Sequence, residues 1–120
     1  MKPEKKYKWH KIASQVSEIN FATNNLAEIE VAGKKICIAK TNGAIAACAS
    51  KCPHAGGDMC QGFLSKNETI VCPVHRYVFS LTNGREVSGE EYYLKVYPVE
   101  IKQEGIFIGF EDGGLLSWLK

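Results

Sequence analysis

An all-β fold is what this 120-residue chain predicts, on three observations. Short β-type runs recur along most of its length, turn-forming residues punctuate them, and helical periodicity is nearly absent. Leu26 to Val31 and Lys35 to Ala39 flank Ala32-Gly33-Lys34, and Thr41-Asn42-Gly43 leads into the apolar run Ala44 to Ala49. Together these read as a meander of hairpins. Thr69 to Cys72, Tyr77 to Leu81, Tyr92 to Val99 and Ile106 to Phe110 continue the pattern, with Asn83-Gly84 and Glu104-Gly105 as turns. Helical signal is confined to about one turn at Ser14 to Ile19, where Ser14 is a candidate cap and Glu18 follows. Many short strands with regular turns predict a small barrel or sandwich, closed so that its strand edges are hidden.

The length suits one domain over residues 1–120. With 45% hydrophobic and 23% charged residues the composition is that of a folded chain, which excludes a disordered tail. Net charge is only +2, and Lys2, Lys5, Lys6, Lys8 and Lys11 gather at the N-terminus. They read as a solvated arm, and with no basic stripe across the fold nucleic-acid binding is not expected. The first residues are too charged for the apolar core of a signal peptide, and no apolar run is long enough to span a bilayer. A cytoplasmic protein is the expectation. Five Cys would leave one thiol outside any complete disulfide framework, so metal binding moves ahead.

The chain has three His, and two of them lie in Cys52-Pro53-His54 and Cys72-Pro73-Val74-His75. Each cluster offers a thiolate followed closely by an imidazole, and the 17 residues between His54 and Cys72 suffice for a hairpin that brings the two loops face to face. Two loops then make one four-ligand site. Zinc fingers usually pair Cys with Cys and His with His within a knuckle, whereas here each loop is mixed. A binuclear cluster with one Cys₂ iron and one His₂ iron suits that mixing, because each loop can serve both irons. A zinc-stabilised interaction module is the alternative outside iron chemistry. A reactive-Cys site is weaker still, since it would not explain why the Cys and His pair recurs.

C-x-H followed after 17 residues by C-x-x-H resembles the Rieske cluster-binding signature. The resemblance implies one [2Fe–2S] cluster, with Cys52 and Cys72 on the inner iron and His54 and His75 on the outer iron near the surface. It implies a small antiparallel β-barrel or sandwich with the two loops as its tip. Gly56 and Gly57 permit tight wrapping of the first loop, and Pro53 and Pro73 stiffen both. In the respiratory-complex type a disulfide ties the loops at the positions held here by Gly57 and Val74, so this chain resembles the ferredoxin or oxygenase-component type. The high-potential type also places Ser and Tyr hydroxyls where this chain has Tyr77 and Phe79. Fewer donors to the sulfurs imply a midpoint near the low end of the Rieske range, about −150 mV.

The function so implied is one-electron transfer, not catalysis: the chain has no room for a substrate-activating iron or a flavin, and no G-x-G-x-x-G. The partners implied by resemblance are a flavin-dependent reductase and a terminal oxygenase or other redox enzyme. The alternative within the family is a small subunit of a larger reductase, similar to the nitrite reductase small subunit. Of the remaining residues, Cys37 and Cys48 read as small core residues, Cys60 as a spare thiol outside the motif, and His10 as a packed or surface histidine. Leu115 to Lys120 read as a segment packed on its own barrel, with docking to a partner as the alternative.

Overall fold

A computed structural model of the chain describes residues 6–42, 44–54 and 56–111. Among them run ten strands: β1 (Tyr7–Ala13), β2 (Leu26–Val31), β3 (Lys34–Thr41), β4 (Ala44–Ala49), β5 (Phe63–Ser65), β6 (Thr69–Val71), β7 (Val78–Ser80), β8 (Val96–Tyr97), β9 (Val99–Lys102) and β10 (Gly105–Glu111). They form three antiparallel sheets, ordered β1-β10-β9, β2-β3-β4-β8 and β5-β6-β7. The all-β expectation is met. No helix among the described residues is long and apolar enough to cross a membrane.

The order of the layers follows from β3. Its sequence Ile36-Cys37-Ile38-Ala39 is apolar without alternation, and all four residues are fully buried, which requires cover on both faces. Ile36 and Ile38 pack with Ala47, Ile106, Ile108 and Phe110. Cys37 points the other way, with Ala39, Cys48, Ile70, Phe79 and Leu94. The four-stranded sheet therefore has the β1-β10-β9 sheet on one face and the β5-β6-β7 sheet on the other. The β2–β3 hairpin turns on Ala32 and Gly33, both with positive φ (50° and 81°), as a two-residue turn matching the strand twist requires.

Several expectations are corrected. The N-terminal lysines do not form an arm throughout, because Lys8 and Lys11 lie exposed on β1, which pairs with β10 from Tyr7↔Glu111 to Ala13↔Ile106. On the same strand the His10 ring packs 5.0 Å from that of Phe110. The run Tyr92 to Val99 becomes strand only from Val96 and breaks at Pro98, which has no N–H to give a ladder: Val96–Tyr97 joins β4, and Val99–Lys102 joins β10. The turn near Ser14 is the 3-10 segment Val16–Glu18, and its side-chain cap is reversed. The Glu18 carboxylate accepts from the Ser14 backbone N–H at 2.6 Å, while the Ser14 hydroxyl does not cap. The segment 113–120, including the packing expected of Leu115 to Lys120, lies outside the described residues.

The stretch after β7 is held by a buried carboxylate. Glu86 accepts from the backbone N–H groups of Val78 (3.2 Å), Ser88 (2.8 Å) and Glu90 (3.3 Å) and from the Ser88 hydroxyl. Burial pushes its carboxyl up, but these donors outweigh burial and leave it below the usual carboxylate value. A depressed folded-state value means that its stabilisation is complete above the unfolded-state pKa and is lost as pH falls through the folded one. Glu86→Gln should cost about 2 kcal/mol at neutral pH, since several donors then face a group that accepts through one oxygen only. The gap between wild type and variant in thermal melts should close below about pH 4, near the unfolded Glu pKa. A gap that stays constant from pH 7 to pH 3 would contradict this role.

Candidate metal centre

After β4 the chain folds back on itself across residues 51–54 and 56–58. A backbone bridge pairs Lys51 with Asp58, the Cys52 N–H donates to the Gly57 carbonyl at 2.7 Å, and the Gly56 N–H donates to the Cys52 carbonyl at 2.9 Å. Gly56 supplies the positive φ (71°) that this wrap requires. The Asp58 carboxylate then caps the 3-10 turn Met59–Gln61 by accepting from the Cys60 N–H at 3.0 Å, and the Met59 N–H donates to the Ser50 carbonyl at 2.8 Å. With Met59 fully buried, the loop is pinned to the core at its exit.

The second loop, residues 72–77, is the turn between β6 and β7, which pair at Val71↔Val78. The Cys72 N–H donates to the Tyr77 carbonyl at 2.8 Å and closes it. At its apex His75 and Arg76 both adopt left-handed backbone, with φ 63° and 56°. Side chains with a Cβ enter that region at roughly 1–2 kcal/mol each, so the surrounding structure imposes it.

These two loops bring all four sequence-predicted residues together, and they sort by donor type. The thiols of Cys52 and Cys72 are buried and in contact with each other. Burial pushes the Cys72 thiol up to about 11, against a lowering contribution from the Val74 N–H that donates to its sulfur, with the Cys52 thiol beside it adding to the rise. The rings of His54 and His75 lie 5.1 Å apart. His75 is exposed and His54 half-buried, with its Nδ1 fully buried and without a hydrogen-bond partner. Among the described residues no three His, Cys, Asp or Glu side chains are arranged around a single metal ion.

The loops meet at Gly57. A Cβ on Gly57 would lie 2.8 Å from Val74 Cγ2 and 3.2 Å from Cys72 Sγ, so the first loop approaches the second as closely as only glycine permits. A thiol pair beside an imidazole pair, with an orphaned buried ring nitrogen, is a donor set that fits a binuclear iron–sulfur cluster. A buried polar atom without a partner is unfavourable unless something binds it. Two-fold sorting of sulfur and nitrogen donors is what one Cys₂ iron and one His₂ iron demand.

Residues 8–98 match the family model of the Rieske [2Fe-2S] domain. The chain belongs to that family. Its domain binds a [2Fe–2S] cluster, so the cofactor expected from the mixed loops is the family's own. The chain is 23% identical over 82 residues to the ferredoxin component of the alkene monooxygenase system of Xanthobacter autotrophicus, a match covering 68% of this chain and 67% of that protein. It is 29% identical over 85 residues to human apoptosis-inducing factor 3, covering 69% of this chain but only 14% of that much longer protein. In fold it is similar to a solved structure described as an NADH-dependent nitrite reductase small subunit from Mycobacterium tuberculosis. The TM-score is 0.74 at 16% identity, covering 87% of this Rieske chain and 96% of the other.

Two features of the site escape the sequence reading. Cys60 is not a spare thiol and Cys37 is not a simple core residue, because the structure joins them as a disulfide with Cα atoms 5.7 Å apart. The link ties β3 to the turn that follows the first loop. A separation of 23 residues between two cysteines outside the motif gives no spacing signal. Cys48, Cys52 and Cys72 stay free, and burial pushes the Cys48 thiol up to about 12. The second feature is the Tyr77 ring, which stacks on His54, with Tyr92 joining it from a distant stretch of sequence.

Proposed function

We propose that Cys52, His54, Cys72 and His75 are the cluster ligands, and that this Rieske chain is a low-potential one-electron carrier passing electrons from a flavin-dependent reductase to a terminal oxygenase or other redox enzyme. The observation that carries this is the sorting of donors by depth: two buried thiols behind two imidazoles, one of them exposed. The cluster, when bound, takes up and gives back a single electron. The chain's own residues determine where that exchange occurs. Cys52 and Cys72 fix the inner side in the core, while His75 and the adjacent exposed Arg76 present the outer side to a partner. The relative named as a monooxygenase ferredoxin component supports an oxygenase as acceptor.

The low potential follows from the second loop. Phe79, where the high-potential type has a hydroxyl, is fully buried and has nothing to donate, and Tyr77 offers its ring to His54. Voltammetry of the loaded protein at neutral pH should give a midpoint near the lower end of the Rieske range, about −150 mV. A midpoint well above zero would contradict the carrier subclass. Stable co-purification with a large reductase subunit would instead assign the chain to that assembly.

A further inference from the structure

The two imidazoles are not equivalent. His75 sits on a left-handed apex and is exposed, whereas the His54 ring is enclosed by aromatic groups from two separate segments. The Tyr77 ring stacks on it with centroids 4.2 Å apart and planes 25° from parallel, and the Tyr92 ring meets it edge-on at 4.8 Å and 67°. Tyr77 and Tyr92 also touch each other, at 5.5 Å. Stacked and edge-to-face contacts are the favourable arrangements for such rings, and together they restrict both rotation and tilt of the imidazole between them.

The scaffold behind these rings is itself pinned. Tyr77 is followed by Val78, whose N–H is held by the Glu86 carboxylate, and the Glu86 N–H donates to the Tyr92 carbonyl at 3.3 Å. The Leu94 N–H donates to the Gly84 carbonyl at 2.7 Å, and a Cβ at Gly84 would lie 2.0 Å from the Leu94 carbonyl oxygen. One buried carboxylate and one glycine thus fix the spacing between the two tyrosines. The single orphaned buried nitrogen among the described side chains belongs to the imidazole they enclose, not to His75.

We propose that Tyr77 and Tyr92 are positioning residues that clamp His54, setting its ring plane, keeping its buried Nδ1 turned inward and excluding water from its face, while His75 is left unclamped. The inference rests on His54 and His75 being ligands. It requires aromatic rings, not hydroxyls. Water admitted to the site would favour the reduced, more negative state, so loosening the clamp shifts the midpoint upward.

The test uses the reduced, cluster-loaded full chain and pulsed EPR of the nitrogens coupled to the cluster, with voltammetry alongside. Wild type should show two histidine nitrogens, and their absence would refute the ligand reading itself. Given two, Tyr77→Ala and Tyr92→Ala should each change the hyperfine coupling of one nitrogen, leave the other in place and raise the midpoint. Tyr77→Phe and Tyr92→Phe should restore both coupling and midpoint. Should an Ala variant fail to fold, Tyr77→Leu and Tyr92→Leu, which keep apolar volume without a ring, carry the same readout. Ring-deleting variants with both couplings and the midpoint unchanged would overturn the clamp, and so would Phe variants shifted as far as the Ala ones.

Discussion

Cys52→Ser and Cys72→Ser are each expected to yield a colourless protein without the [2Fe–2S] absorption. A hydroxyl is a poor ligand for this iron, and the two thiols are the buried half of the donor set, in contact with each other beneath the loops. Stability should fall with the cluster, because the loops have little core of their own and binding free energy is also folding free energy. Cys48→Ser is the matched control. Its thiol is equally buried in the same core but lies on β4, outside both loops. It should lose about 1–3 kcal/mol for the buried hydroxyl while keeping the full spectrum. Iron and sulfide content, visible absorption and thermal melts of the three variants check this, and a Cys52→Ser or Cys72→Ser protein with an intact Rieske spectrum would show the assignment to be wrong.

Phe79→Ala should produce the largest loss of stability among single core substitutions. Phe79 heads the fully buried side chains by size, and it packs with Ile70, Met59, Cys52 and Cys72, directly behind the loops. Removing a buried phenyl ring costs about 3–5 kcal/mol. That is a large part of the 5–15 kcal/mol typical of a whole domain. Because β6 and β7 pair through Ile70↔Phe79, the cavity would open at the base of the second loop, so cluster release should speed up together with unfolding. Denaturant titration gives the first quantity, and loss of visible absorption in the presence of an iron chelator gives the second. Unfolding free energy within about 1 kcal/mol of wild type would contradict the burial of this ring in a close-packed core.

How much of this was legible in the sequence depends on whether a signal is local. The strands β2 and β4 were readable to the residue, because the turn at Ala32-Gly33 and the apolar runs beside it are self-contained. The same locality exposes the four site residues, since each loop carries its thiol and imidazole within four residues of sequence. Strand β1 was hidden by its lysines. Lys8 and Lys11 read as a solvated arm, and only the distant β10, some hundred positions along the chain, turns that stretch into an edge strand with one half-buried face. Pairing at that range carries no signature in a single sequence. The Cys37–Cys60 link and the Tyr77–Tyr92 enclosure of His54 fall in the same class, because each joins residues from segments that only the layered sheets bring together. Glu86 is a further case: nothing local marks its carboxylate as buried, since the donors that hold it come from Val78 as well as from Ser88 and Glu90.

An EPR spectrum of the protein, purified in air and then chemically reduced, reads out the ligands of the cluster. Ligation by two thiolates and two imidazoles lowers the average g value of a reduced [2Fe–2S] cluster relative to one held by sulfur alone. The donor pairs of this site therefore predict a red-brown protein with that lowered average, at one cluster per chain. A reduced spectrum with the average g of an all-cysteine cluster, or a colourless protein carrying stoichiometric zinc, would contradict it.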